Sequence, residues 1–169
     1  MQHRSFALVL TAAVLTAAAC DESTDPPPVS KIVTFKATLN GASEIPANAT
    51  TGTGAFTATL DTSTNVFTYD LTFSGLSANV SNGHIHGPAA ATANSGTTIN
   101  FNTLPGATFS FGLQAGTGRG TAVLSTSNQI TATMNGDSLK KLLLAGLTYA
   151  NIHTTAIPGG EIRGQILKQ

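Results

Sequence analysis

The sequence predicts a mostly β protein, a β-sandwich or flattened Greek-key barrel of about nine short strands with one short helix. Three observations carry this. Charged residues make up only 9% of the 169 positions, while threonine, valine, isoleucine and phenylalanine are plentiful, a composition that suits pleated surfaces better than exposed helices. Apolar and polar residues alternate with period two over 66–73, where Phe67, Tyr69, Leu71 and Phe73 share one face and Val66, Thr68, Asp70 and Thr72 the other. Glycine and asparagine punctuate such runs, as tight turns require. The length suits one domain. A formal charge of zero leaves nothing to attract nucleic acid.

The N-terminus reads MQHRSFALVLTAAVLTAAAC, with Arg4, an apolar run over 6–15, and Ala17, Ala18 and Ala19 directly before Cys20. That is the pattern of a secretory signal and is too short for a typical membrane span. Cys20 is the only cysteine, so no intramolecular disulfide is available. The segment resembles a bacterial lipoprotein signal, although Ala17 stands where leucine is usual. The resemblance implies that 1–19 is a signal peptide and that Cys20 becomes the lipidated first residue of a membrane-anchored lipoprotein in the bacterial cell envelope. The other outcome is an ordinary cut near Ala19 that leaves a free thiol. Each acyl methylene buried in lipid contributes ~0.8 kcal/mol. Residues 20–30 follow as a flexible tether, acidic and then carrying Pro26, Pro27 and Pro28, which favour extended polyproline II geometry. The folded domain is expected over 31–169.

Within it, IVTFKATL (32–39) and GAFTATL (54–60) alternate as strands do, and the turn DTSTN leads into the 66–73 strand. The loop SGLSANVSNG separates that strand from GHIHG (83–87). TTINF (97–101), TFSFGL (108–113), GTAVL (120–124) and QITATM (129–134) are short β-rich runs between turn residues, and GTGRG (116–120) reads as a hairpin turn. GDSLKKLLLAG is the one helical signal. Asp137 or Ser138 can cap its start, Leu139, Leu142 and Leu143 share a face, and Gly146 can end it. TYANIH (148–153) and EIRGQIL (161–167) complete the strands. ATLN, ATLD and ATMN recur without a fixed period, so no repeat architecture follows.

Four motifs in order, LNGASEIP (39–46), HIHGPA (84–89), the leucine-rich helix before LTYANIHT (147–154), and IPGGEIRGQI (157–166), resemble the chordin or CHRD domain. The resemblance covers nearly all of 31–169. It implies an extracytoplasmic β domain, the family being found in animal growth-factor antagonists and in many secreted or lipid-anchored bacterial proteins. Growth-factor antagonism does not transfer to a bacterial lipoprotein.

The chain has four histidines, and His3 lies in the signal. On a strand, His84 and His86 point to one face with Cα atoms roughly 6.6 Å apart, which suits a chelate, while Ile85 points into the core. His153 ends a strand in which Ile152 takes the inward direction. If the two strands neighbour each other, three imidazoles with an open position suit copper or zinc, copper(II) being the tighter by the Irving–Williams order. The pattern also resembles the copper site of copper/zinc superoxide dismutases, without a bridging histidine, a second cluster of zinc ligands or a disulfide. The plainer reading is that the imidazoles hydrogen-bond loop backbone near Gly83, Gly87 and Pro88. Glu161 is the next candidate, as a ligand or as the acceptor that orients an imidazole, but a salt bridge with Arg163 on the same strand face is favoured. Glu44 is expected to be a solvated turn carboxylate.

Other chemistry is excluded on motif grounds: there is no G-x-S-x-G, no phosphate-cradling loop before a helix, and no close pair of acidic residues suited to glycoside hydrolysis. Three functions remain: a lipid-anchored copper-binding module using His84, His86 and His153, an interaction or adhesion domain with structural histidines, and, last, a dismutase-like redox enzyme. No catalytic residue is assigned.

Overall fold

The computed structural model describes residues 31–104, 106–124 and 134–169. The expected signal peptide, Cys20 and the tether lie outside these residues, as does all but Met134 of the expected strand at 129–134. The described residues form β1 (Ile32–Asn40), β2 (Thr53–Asp61), β3 (Val66–Ser74), β4 (Val80–His86), β5 (Thr97–Asn100), β6 (Thr108–Phe109) and β7 (Gly116–Val123). Helix α1 (Gly136–Leu144) follows, and then β8 (Tyr149–Thr154), β9 (Ile162–Gln165) and β10 (Leu167–Lys168).

These strands make one antiparallel sheet in the order β5-β4-β8-β9-β1-β2-β3-β7-β6, with β10 also on β1. The sheet curls until its two ends meet. Val80 of β4 donates to the Leu113 carbonyl at 2.9 Å and accepts from the Gly112 amide at 3.0 Å, both in the loop after β6. The result is the flattened barrel or sandwich that the alternating strands predict.

Phe67, Tyr69, Leu71 and Phe73 face inward and are at most 4% exposed. They meet Phe35, Leu39, Phe56 and Leu60 from β1 and β2, and Ile85, Ile152 and Ile162 from the other half. Tyr69 and Phe101 have ring centroids 4.9 Å apart, and the Tyr69 hydroxyl donates to the Phe101 carbonyl at 2.8 Å. Burying each large apolar side chain contributes roughly 1.5–3 kcal/mol.

Four local expectations need correction. GTGRG is not a turn but the first part of β7, because rings occupy the space its side chains would take. A Cβ at Gly118 would lie 2.7 Å from the Phe109 ring, and one at Gly120 2.8 Å from the Tyr69 ring. The strand expected over 108–113 shortens to Thr108–Phe109, since the chain then turns to bond with Val80. The single strand expected over 161–167 divides at Ile166, whose amide donates to the Thr148 carbonyl. The cap of α1 is Asn135, whose side chain accepts from the Ser138 amide at 2.8 Å, in place of Asp137 or Ser138. Gly146 ends the helix as expected, at φ +67°. Leu139 and Leu143 are buried, and Leu142 is half-buried.

Candidate metal centre

β4 and β8 are paired neighbours, with Asn82 opposite His153, His84 opposite Asn151 and His86 opposite Tyr149. Alternation sends Ile85, Ala150 and Ile152 into the core, all 0% exposed. It sends His84, His86, Tyr149, Asn151 and His153 to the other face. That face is covered too. Segments 41–52 and 88–96 reach across it, joined to each other by the Asn94 side chain on the Ile45 carbonyl at 2.9 Å, and Tyr149 and Asn151 are consequently buried.

The glycines flanking the histidine pair are required by contacts on both sides. A Cβ at Gly83 would lie 2.5 Å from the Phe109 ring, and one at Gly87 2.9 Å from the Leu147 carbonyl oxygen. Side chains there would push β4 off its neighbours.

His84, His86 and His153 come together, one nitrogen of each lying within 4.8 Å of those of the other two. His84 Nδ1 and His153 Nε2 are 3.1 Å apart. His86 Nδ1 donates to the Ser95 carbonyl at 3.0 Å, and His153 Nδ1 to the Pro158 carbonyl at 2.9 Å. A carbonyl only accepts, so each of these neutral rings carries its proton on Nδ1 and keeps a lone pair on Nε2. Backbone carbonyls therefore perform the orienting role considered for Glu161. The Nε2 of His86 is buried and has no hydrogen-bond partner.

These distances bear on what the cluster can hold. Two nitrogens bound at ~2.0–2.1 Å to one ion are at most about 4.1 Å apart. The 3.1 Å pair already satisfies this, and with every pair within 4.8 Å none need close by more than about 0.7 Å to reach that limit. Protonation does not oppose binding near neutrality. Burial, helped by His153 and His86, lowers the His84 pKa to about 4. Burial also brings His86 to about 4, with His153 and Arg163 adding to the effect against the Ser95 hydrogen bond. His153 is likewise lowered by burial.

Behind His86 stands a stack that the sequence reading missed. The Tyr149 ring lies 4.8 Å from His86 at an interplanar angle of 6°. On Tyr149 rests the Arg163 guanidinium, its Cζ 3.4 Å from the ring centroid. Ser95 ties the layers together: its carbonyl accepts from both His86 and the Tyr149 hydroxyl, and its amide donates to that hydroxyl at 3.2 Å. The local signal was present, because Tyr149, Asn151 and His153 alternate along β8.

Two carboxylates differ from expectation. Glu161 does not pair with Arg163. It is 0% exposed, and its oxygens accept from Thr50 Oγ1 at 2.6 Å, the Ser77 amide at 2.6 Å, Ser77 Oγ at 2.9 Å and Thr154 Oγ1 at 2.6 Å. Arg163 turns instead to Asn94 Oδ1 and the Ala93 carbonyl, each at 2.8 Å. Covering loops bring these partners closer than the two side chains are to each other. Burial alone would raise the Glu161 pKa, but the donors from Thr154, Thr50 and Ser77 hold it below the usual carboxylate value. Glu44 is not solvated: it is 7% exposed and accepts from Asn151 Nδ2 at 2.5 Å. Burial raises its pKa to about 7 against the Asn151 hydrogen bond and the Arg163 charge. Glu44 and Arg163 also border a cleft under the 42–47 loop that none of the histidines lines.

No curated protein and no solved structure matches the chain. The CHRD domain matches residues 35–166, a span that begins inside β1, ends just past β9 and contains all three clustered histidines. The chain therefore belongs to the CHRD domain family.

Proposed function

We propose that the chain is a lipid-anchored, extracytoplasmic module of the bacterial cell envelope that binds copper through His84, His86 and His153, with zinc as the weaker alternative. The observation that carries this is the buried, unpartnered Nε2 of His86 beside two further imidazoles. A buried acceptor without a partner costs free energy, and a cation held jointly with His84 and His153 would remove that cost. Three nitrogen donors and no carboxylate favour copper(II) over zinc(II) by the Irving–Williams order. Among the described residues there is no second such cluster, so the reading is a binding module rather than a two-metal redox enzyme.

The test is a competition titration of copper(II) and zinc(II) into the wild-type chain and the His84→Ala, His86→Ala and His153→Ala variants, with thermal unfolding as a second readout. Each substitution is expected to weaken copper binding by orders of magnitude, beyond the roughly 10–100-fold typical of losing a group that only orients a ligand, and to abolish the copper-dependent rise in Tm. Wild-type affinity in His153→Ala would dismiss the three-histidine site. The histidines would then be structural, a role to which the 3.1 Å contact between His84 and His153 is suited, in an interaction or adhesion domain. Anchoring is read separately: membrane-extracted protein is expected to carry a diacylglyceryl group on Cys20, and an unmodified mature chain would refute it.

A further inference from the structure

The stack behind His86 ends in a buried positive charge whose hydrogen-bond partners are all neutral. Arg163 is 1% exposed, and its guanidinium donates to Asn94 Oδ1 and to the Ala90 and Ala93 carbonyls. Its Cζ is 3.4 Å from the Tyr149 centroid, and that ring is 4.8 Å from His86, so the charge stands no more than about 8 Å from the His86 ring. Arg163 holds this charge at any working pH.

The two buried carboxylates of the covered region are engaged elsewhere. Glu161 gives its oxygens to Thr50, Ser77 and Thr154. Glu44 bonds Asn151 and, with a pKa of about 7, carries roughly half a charge at neutral pH. Burial does most to oppose a proton on His86, and His153 and Arg163 add to it. Among the described residues no carboxylate favours the charged form of any of the three rings. What opposes a proton there also opposes extra charge on a metal ion. The three ligands are neutral imidazoles and add no negative charge of their own, and burying a divalent ion costs more than burying a monovalent one.

We infer that the Arg163 guanidinium, acting through space from behind Tyr149, biases the three-histidine cluster toward copper(I) over copper(II). The inference rests on the copper reading above and adds the oxidation state of the cargo and the residue that sets it. An ion held by His86 would lie about 10 Å from the guanidinium, and at an effective dielectric constant of ~20 a further unit of charge at that distance is opposed by a factor of about ten in affinity.

The test measures both affinities in the full chain: copper(II) in air against a copper(II) chelator, and copper(I) without oxygen, kept reduced by ascorbate, against bicinchoninate. The proteins are the wild type, Arg163→Gln, Asn94→Asp and Asn94→Ala, with thermal unfolding to show that each is folded. Asn94→Asp sets a carboxylate on the Arg163 Nη1 without touching the stack, and Asn94→Ala loses the same bond to the Ile45 carbonyl without adding charge. The ratio of copper(I) to copper(II) affinity is expected to fall about tenfold in Arg163→Gln, equivalent to ~59 mV in a one-electron potential. It should fall about threefold in Asn94→Asp, where solvent screens the new carboxylate, and stay at the wild-type value in Asn94→Ala. General loosening of the fold would weaken both ions alike and leave the ratio unmoved. A wild-type ratio in Asn94→Asp overturns the inference, as does an equal fall in Asn94→Ala, and these two variants decide the matter if Arg163→Gln does not fold. If the wild type binds both ions and the ratio ignores the charge, only the role of Arg163 is wrong. If it binds neither, the three-histidine reading falls and this inference with it.

Discussion

Replacing Glu161 by Gln tests whether a buried carboxylate holds the covering loops in place. The side chain joins three segments: Thr50 in the crossing after β1, Ser77 in the β3–β4 connection and Thr154 at the end of β8. Glutamine keeps the shape but has one acceptor oxygen in place of two. If that oxygen stays toward Thr50 and the Ser77 amide, the new NH₂ faces two hydroxyls, and Thr154 Oγ1 already accepts from the Ile157 amide at 3.2 Å. About two charge-assisted bonds are lost at ~1.5–3 kcal/mol each, partly offset because a charge no longer has to be buried, which leaves a destabilisation of about 3 kcal/mol. For a domain of this size that is roughly a 10 °C fall in Tm. The assay is urea and thermal unfolding of the wild type and Glu161→Gln at pH 7 and at pH 3. A carboxylate whose folded pKa is depressed contributes stability above its unfolded value, near 4.5, and loses it as pH falls through the folded value. The gap between the two proteins is therefore expected at pH 7 and should narrow in acid. A difference below about 0.5 kcal/mol at pH 7, within the range of ordinary surface substitutions, would refute the reasoning.

Three more predictions concern the histidine face. His84 and His86 have folded pKa values near 4 against about 6.5 unfolded, so between these values the unfolded chain binds more protons. Metal-free protein should lose stability as pH falls from about 6.5 to about 4, by up to ~1.4 kcal/mol per unit for buried His86 and less for His84, and His86→Ala should flatten the profile in denaturant titrations. Gly83→Ala should destabilise by about 1–3 kcal/mol in thermal unfolding, since the new methyl meets the Phe109 ring. Tyr149→Phe should keep the stack on His86 but lose both Ser95 hydrogen bonds, lowering stability by about 1–2 kcal/mol. Unfolding at wild-type temperature would show that Ser95 finds other partners.

Where the cause was local, the sequence was readable. The alternation of β3 predicts its buried face residue by residue, and the period of two around Ile85 and Ile152 predicts which way His84, His86 and His153 point. The pairing of β4 with β8 is not legible, because nothing local to HIHG or YANIH encodes which strands lie side by side. GTAVL locates the second half of β7, but its first half reads as a turn because the glycines there answer to rings on other strands, Tyr69 and Phe109. Two-residue spacing puts Glu161 and Arg163 on one face and so favours a salt bridge between them. That inference assumed an open face, and the loops crossing it supply Thr50, Ser77, Asn94 and Ala93 instead. Sequence spacing locates side chains on an element but does not say what will cover them.

The antiparallel pairing of β4 with β8 also sets an order in time. A ribosome delivers the HIH pair long before YANIH, and between them come β5, β6, β7 and α1. Until β8 has emerged, a growing chain has only His84 and His86 of the cluster to offer, the grip of a short peptide. The third donor arrives when the sheet closes, so the cluster is assembled only after the polypeptide has reached the place where it folds. If the cluster holds a cation as proposed, that ion is drawn from the compartment where the chain folds and not from the one where it is made.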